Sequence, residues 1–247
     1  MIDINTGFLA LFAIVLLAYI TQAMAGFGSL ILAITLGSNF YPIEFLLPVV
    51  VPLDVLINSY IVTRHRRFIH KQILFKKIFP LMLVGLFIGI LLFNLVHGQI
   101  LKKLFGVFVV GMSAFQLVAL RKTTLAAPVL SPAKSRVLIL FGGIIQGLYA
   151  SGGPLVVYVV SRLNLDKSVF RSTLSTLWLI LNCVLMISYV VTGRLSFGTL
   201  TFTCALAPLI IVGVFIGERL HTIINEKQFK IFVYMLLLIA GFSIVLR

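Results

Sequence analysis

Residues 80–89 read P-L-M-L-V-G-L-F-I-G and residues 208–217 read P-L-I-I-V-G-V-F-I-G, with seven positions identical in register at an offset of 128 residues. Farther upstream the register is 124 residues, pairing Gln22 with Gln146, Gly28 with Gly152 and Asn58 with Asn182. Both copies lie in apolar sequence, so the chain reads as one membrane unit written twice. Repeats of that kind pack against each other, and in a carrier the substrate site lies at their interface near the bilayer midplane.

Composition places the chain in a membrane independently of the repeat. Of 247 residues 61% are hydrophobic and 11% charged, and several apolar runs reach the roughly 20 residues that cross a hydrocarbon core. The net charge of +14 would suit nucleic acid in a soluble chain. Here Lys and Arg collect between apolar runs, as juxtamembrane charge does, and no nucleic-acid partner is expected. The opening M-I-D-I-N-T-G has no basic segment and leads to no small-residue cleavage site, so residue 8 onward is expected in the mature fold. Cys183 and Cys204 sit inside apolar runs without metal-ligand spacing and are expected to be small core residues rather than a disulfide. His65, His70, His97 and His221 lie in or beside polar connections with no H-x-x-x-H pair, so neither a metal nor a cofactor is expected. An intramembrane serine protease needs a His at the depth of its Ser; the sequence offers none, and no enzyme is expected.

Apolar stretches run over residues 7–37, 42–62, 78–96, 103–120, 137–161, 169–193, 197–218 and 229–246. Eight plain crossings, four per repeat, is the simplest count, and it makes the repeats parallel. The first stretch of each repeat is broken in the middle, however, by A-G-F-G-S at 25–29 and A-S-G-G-P at 150–154. Gly and Pro there interrupt the helical ladder. If each broken stretch returns to the side it came from, each repeat keeps three full crossings and the second is inverted. Sixteen of the twenty Lys and Arg then share one face, against twelve under eight plain crossings. That bias makes the charged face cytosolic and the N-terminus external. The expected fold is therefore an all-α integral membrane protein of two pseudo-symmetric repeats, each a broken or re-entrant helical hairpin plus three transmembrane helices. Eight plain transmembrane helices are the alternative. Residues 1–120 form the first repeat, 121–136 a cytosolic linker and 137–247 the second repeat.

Irregular backbone at membrane depth is tolerated where it is buried in protein or lines a cavity, so the two breaks mark the candidate site. Pro154 suits the first position of a new half-helix, where its missing donor costs nothing, which would leave the amides of Gly152, Gly153 and Leu155 free to face the break. The matching half-helix starts near Gly28 and Ser29. Each such start carries about half a positive charge, and two that converge make an anion cradle without a buried Lys or Arg. Gln22 and Gln146 precede Gly28 and Gly152 by six residues, and Asn58 and Asn182 follow the glutamines by 36. These residues and Ser151 are the candidate substrate contacts; Ser172, Thr173, Ser175 and Thr176 add hydroxyls in the second repeat. The two-repeat plan and the Gln-rich, Gly-rich breaks resemble the TauE/SafE sulfite exporter family of membrane transporters over nearly the whole chain. Q-G-L-Y-A-S-G-G-P-L at 146–155 is the better match, while Q-A-M-A-G-F-G-S-L at 22–30 lacks the double Gly and the Pro. The resemblance implies transport of sulfite or of small organic anions bearing sulfonate or carboxylate.

Asp54 lies about halfway along the 42–62 stretch, where a charged side chain costs on the order of 2.5–3.5 kcal/mol. An ionised carboxylate beside an anion site repels the anion, which makes Asp54 the proton-coupling candidate and protons the candidate coupling ion. The alternative is a neutral or paired Asp that bonds a neighbouring helix. Glu44 and Asp166 sit near helix starts, where acids favour the dipole. No G-x-x-x-x-G-K-[ST] occurs, so an ion gradient, the membrane potential or a separate subunit must supply energy. The expected function is secondary transport of a small anion across the cell membrane, with the lipid bilayer as the other partner. An anion channel or a structural subunit of a membrane complex are the alternatives.

Overall fold

The computed structural model describes residues 4–96, 98–121, 130–163, 165–223 and 226–246. They form helices α1 (Ile4–Ala25), α2 (Ser29–Gly37), α3 (Ile43–His65), α4 (Phe79–Leu95), α5 (Gly98–Arg121), α6 (Pro132–Tyr149), α7 (Gly153–Val160), α8 (Lys167–Val191), α9 (Phe197–Leu206), α10 (Pro208–Ile223) and α11 (Glu226–Leu246). A π-helical stretch, Ile73–Ile78, leads into α4. Among the described residues six segments are long and apolar enough to cross a membrane: α1, α3, α4 with its π-helical lead, α5, α8, and α9 joined to α10. Their outward faces carry Leu91, Val191, Phe197, Ile211 and Phe215, all exposed. Apolar surface on that scale suits lipid rather than water.

Both broken stretches fold back on themselves. A Cβ placed on Gly37 would lie 3.7 Å from Leu11 Cδ1, and one on Gly7 would lie 3.0 Å from the Tyr41 hydroxyl. The chain thus leaves α2 at the level where α1 began. In the second repeat Gly142 of α6 faces Val156 of α7, a Cβ on Gly142 lying 3.0 Å from Val156 Cγ2. The return arms α2 and α7 have nine and eight residues, well short of the roughly 20 that cross a bilayer. The first turn uses Gly26 at φ 77 and Gly28 at φ 105. The second uses Ala150 at φ 50, the equivalent of Gly26 in the 124-residue register; a side chain held there costs about 1–2 kcal/mol.

The equivalent helices α3 and α8 run antiparallel. Asp54 bonds Asn182, while His70, past the end of α3, donates its backbone N–H to Thr173 near the start of α8. Helix α3 is buried on most sides, with Leu46, Leu47, Val49, Val50, Val51, Leu53 and Ile57 inside, as a central helix must be. Pro48 and Pro52 interrupt its ladder. Carbonyls beside that gap accept from other helices, Val49 O from Thr203 Oγ1 at 3.0 Å and Val50 O from the Tyr19 hydroxyl at 3.4 Å.

The duplicated decapeptide is the seam that interlocks the repeats. Helix α4 packs chiefly on α6, and α10 on α1, so each hairpin leans on the other repeat. Gly85 and Gly89 of α4 meet Gly143 and Gly147 of α6 at Cα: a Cβ on Gly85 would lie 2.8 Å from Gly143 Cα, and one on Gly89 2.8 Å from Gly147 Cα. Gly213 and Gly217 of α10 do the same against Tyr19 and Ala23 of α1, the register equivalents of Gly143 and Gly147. Small residues four apart let backbones approach this closely in lipid, where van der Waals contact replaces the hydrophobic effect as the glue.

Helix α6 starts at Pro132, inside the linker expected at 121–136, because Ser131 Oγ caps it by accepting from the Lys134 N–H. A cap stops a helix by hydrogen bonding, and need not fall where hydropathy changes. The middle of that linker, 122–129, lies outside the described residues, as do His97 and the side chain of His221. Cys183 and Cys204, expected in the core, are unpaired and exposed. In a membrane helix an apolar run marks lipid contact as readily as core.

Candidate functional site

The two breaks meet. Gly28, Ser29, Leu30 and Ile31 from the first, and Ala150, Ser151, Gly153 and Pro154 from the second, line one cavity of about 30 Å³. That is room for two or three water-sized spheres at roughly 10–15 Å³ each, so a ligand held here has only a few heavy atoms. Gln22, Asp54, Gln146 and Asn182 complete the polar wall, with Phe27 and Trp178 as aromatic sides. Phe27, Gly28, Ile31 and Pro154 also border a second small cavity whose other wall is Val233, Tyr234 and Leu237 of α11.

Each glutamine ties its own break to its own asparagine. Gln146 Oε1 accepts the Gly152 N–H at 2.9 Å while its Nε2 donates to Asn182 Oδ1 at 2.8 Å. In the first repeat Gln22 Oε1 accepts from the Ser29 N–H at 3.3 Å and lies 3.1 Å from Ser29 Oγ, whose proton goes to Asp54, and Nε2 reaches Asn58 Oδ1 at 3.4 Å. One expectation is corrected here: the Gly152 amide is not free for a ligand, because Gln146 caps it. At that half-helix start the amides of Gly153 and Leu155 are the ones without an intrahelical acceptor. Pro154, expected at the first position of the half-helix, falls at the second, because α7 begins at Gly153.

Asp54 gathers both halves. Its Oδ1 accepts from Ser29 Oγ at 2.6 Å, and its Oδ2 accepts from Asn58 Nδ2 at 2.6 Å and Asn182 Nδ2 at 2.7 Å. Bonds to an ionised group contribute about 1.5–3 kcal/mol each, enough together to offset the cost of a carboxylate at this depth. All ten candidate residues are therefore in or against one cluster. Asn58 and Gly152 stand behind the cavity wall, bonded to residues that form it. Ser151 lines the cavity but turns its hydroxyl to the Tyr149 carbonyl at 2.8 Å. Of the additional hydroxyls, Thr176 bonds the Ser172 carbonyl of its own helix and Thr173 accepts from His70. Glu44 lies in the first turn of α3 and Asp166 is the N-cap residue of α8, away from the cavity.

Sequence reasoning missed Trp178. It is the only tryptophan and stands in the second repeat where Asp54 stands in the first. Its indole Nε1 is buried with no hydrogen-bond partner. The 124-residue register carried the signal: stepping from Asp54 to its equivalent finds a lone donor where the first repeat has an acceptor.

Residues 11–244 match the family described as sulfite exporter TauE/SafE. No curated protein and no solved structure matches the chain.

Proposed function

Because this chain belongs to the TauE/SafE family of membrane transporters, we propose that it carries a small oxyanion of the sulfite, sulfonate or carboxylate class across the cell membrane, held between the two breaks. The observation that carries the reading is the convergence of both half-helix starts and both Gln–Asn pairs on one cavity of a few heavy atoms. The donors suit an anion: orphan amides at two positive helix ends and the indole N–H of Trp178. In this reading the cavity lies at membrane depth between inverted repeats, with sixteen of the twenty Lys and Arg on the cytosolic side and the N-terminus external.

Asp54 would couple protons to the anion. Ionised, it uses Ser29, Asn58 and Asn182 as donors and repels a second negative charge. Protonated, it offers an O–H that an arriving oxyanion can accept, so proton and anion favour each other's binding. Without coupling, each monovalent anion leaving a negative interior still gains about 2.3 kcal/mol per 100 mV.

The test is saturable uptake of labelled sulfite by liposomes containing the purified protein, competed by small sulfonates and carboxylates. Gln146→Ala should raise the half-saturating concentration by removing the cap on Gly152 and the bond to Asn182. No saturable uptake of any such anion would sink the proposal, and unitary currents far above carrier turnover would replace it with an anion channel.

A further inference from the structure

Among the described residues five buried side-chain polar atoms have no hydrogen-bond partner, and four of them are on α8: Arg171 Nε, Ser175 Oγ, Trp178 Nε1 and, about two turns beyond the cavity-facing Asn182, the Tyr189 hydroxyl. At 3.6 residues per turn, positions 171, 175, 178 and 182 fall on one helix face. The fourth, Asn182, donates to Asp54, which fixes that face toward α3 and the cavity. The row descends about 16 Å from Arg171, whose stem lies against the first break, a Cβ on Gly26 meeting Arg171 Cγ at 2.8 Å. A buried donor left unpaired costs about 1–3 kcal/mol. Three stacked on consecutive turns call for a shared partner rather than three separate accidents.

The chemistry of the row narrows that partner. Arg and Trp nitrogens only donate, so they neither relay protons as a wire nor bind a cation; they suit an anion passing from donor to donor. The charge of the row is one-sided: Arg171 stands at one end, while beyond Asn182 the unpaired atom on the same face is the neutral Tyr189 hydroxyl. In the first repeat the equivalents of Arg171 and Ser175 are Leu47 and Val51, both buried and apolar. Because α3 and α8 run antiparallel, these sit toward the opposite end of the α3–α8 pair.

We infer that the α8 face Arg171–Ser175–Trp178 is the route between the cavity and the surface that carries Arg64, His65 and the start of α8, with Arg171 as the residue that captures the anion from the cytosol. The inference rests on the anion-transport reading for the identity of the traveller.

The experiment uses Ser175→Cys in full-length protein lacking Cys183 and Cys204, in inside-out and right-side-out vesicles. Two membrane-impermeant thiosulfonate reagents are applied, one bearing a sulfonate and one a trimethylammonium group. Expected is modification from the cytosolic side, with Arg171→Gln slowing the anionic reagent by about tenfold while not slowing the cationic one, since a focusing charge raises local anion concentration by that order. No modification from either side, faster modification from the outside, or an Arg171→Gln effect equal for both reagents would overturn the route. A second measurement stands if the cysteine variant does not insert. Arg171→Gln alone should raise half-saturating sulfite several-fold on the cytosolic side and leave the external side unchanged, whereas no change or an equal change on both sides overturns the capture role. Charge-selective access to position 175 in protein that transports no sulfite would keep the route and remove only the substrate assignment.

Discussion

Asn182 Nδ2 donates to Asp54 Oδ2 across 2.7 Å, and Asn182 Oδ1 accepts from Gln146 Nε2 at 2.8 Å. One amide thus relays the second repeat's break to the first repeat's carboxylate, residues 128 apart in the chain. Asn58 makes the equivalent pair of contacts without leaving its own repeat. The polar centre is consequently a single network, although its glutamines and asparagines come in symmetric pairs.

Asn182→Ala removes both contacts at once. It orphans Gln146 Nε2 and takes one donor from Asp54, and should weaken sulfite binding by about 1–2 kcal/mol, within the range that leaving a buried polar group unsatisfied costs. The half-saturating concentration should rise about tenfold while the protein still inserts. An unchanged value would mean that the anion binds away from this network.

The glycine seam makes a separate prediction about folding. Gly85→Ala would drive a methyl into the Leu140 carbonyl and Gly143 Cα, both backbone, and overpacking of that kind costs about 1–3 kcal/mol. Gly111 of α5 has nothing within 4 Å of the added methyl, so Gly111→Ala should be neutral or slightly stabilising, as Ala is in a helix interior. Thermal unfolding in detergent should separate the two, and equal midpoints would show that the seam is not tightly closed in solution.

Sidedness can be read with two exposed positions, Lys76 before α4 and Thr192 after α8. In protein lacking Cys183 and Cys204, single cysteines at these sites should react with an impermeant reagent from opposite sides, position 76 from the cytosol. Eight plain crossings put both on one face, so labelling from the same side would rule out re-entrant hairpins in the membrane.

The duplicated decapeptide, the Gly and Pro breaks and the paired Gln and Asn were legible because each is a departure from a uniform apolar background. The seam's partners were not, since nothing local to Gly85 says that it faces Gly143 rather than a helix of its own repeat. The capping of Gly152 by Gln146 was also out of reach. A glutamine six residues before a half-helix start can face the ligand or turn back onto the amide, and only the fold decides. Trp178 and Arg171 escaped because a repeat shows itself by what its copies share, whereas these two stand where the copies differ, opposite Asp54 and Leu47. Cys183 and Cys204 misled because apolar sequence marks burial in a soluble protein but equally marks lipid contact here.

Asp54→Asn tests coupling without changing shape. The amide keeps an acceptor oxygen for one of the three present donors and loses the negative charge, so anion binding should persist. In exchange assays, with labelled and unlabelled sulfite on opposite sides, the variant should run close to the native rate. Accumulation driven by an imposed pH gradient should be lost, because no proton moves with the anion. In the native protein protonation of Asp54 removes the charge that repels the anion, so acidifying the side from which sulfite is taken should speed uptake, and the variant should show no such response from this residue. Measuring exchange and pH-driven accumulation on the same vesicles separates the roles. Loss of both would make Asp54 a structural tie between Ser29, Asn58 and Asn182, and loss of neither would leave coupling to another group.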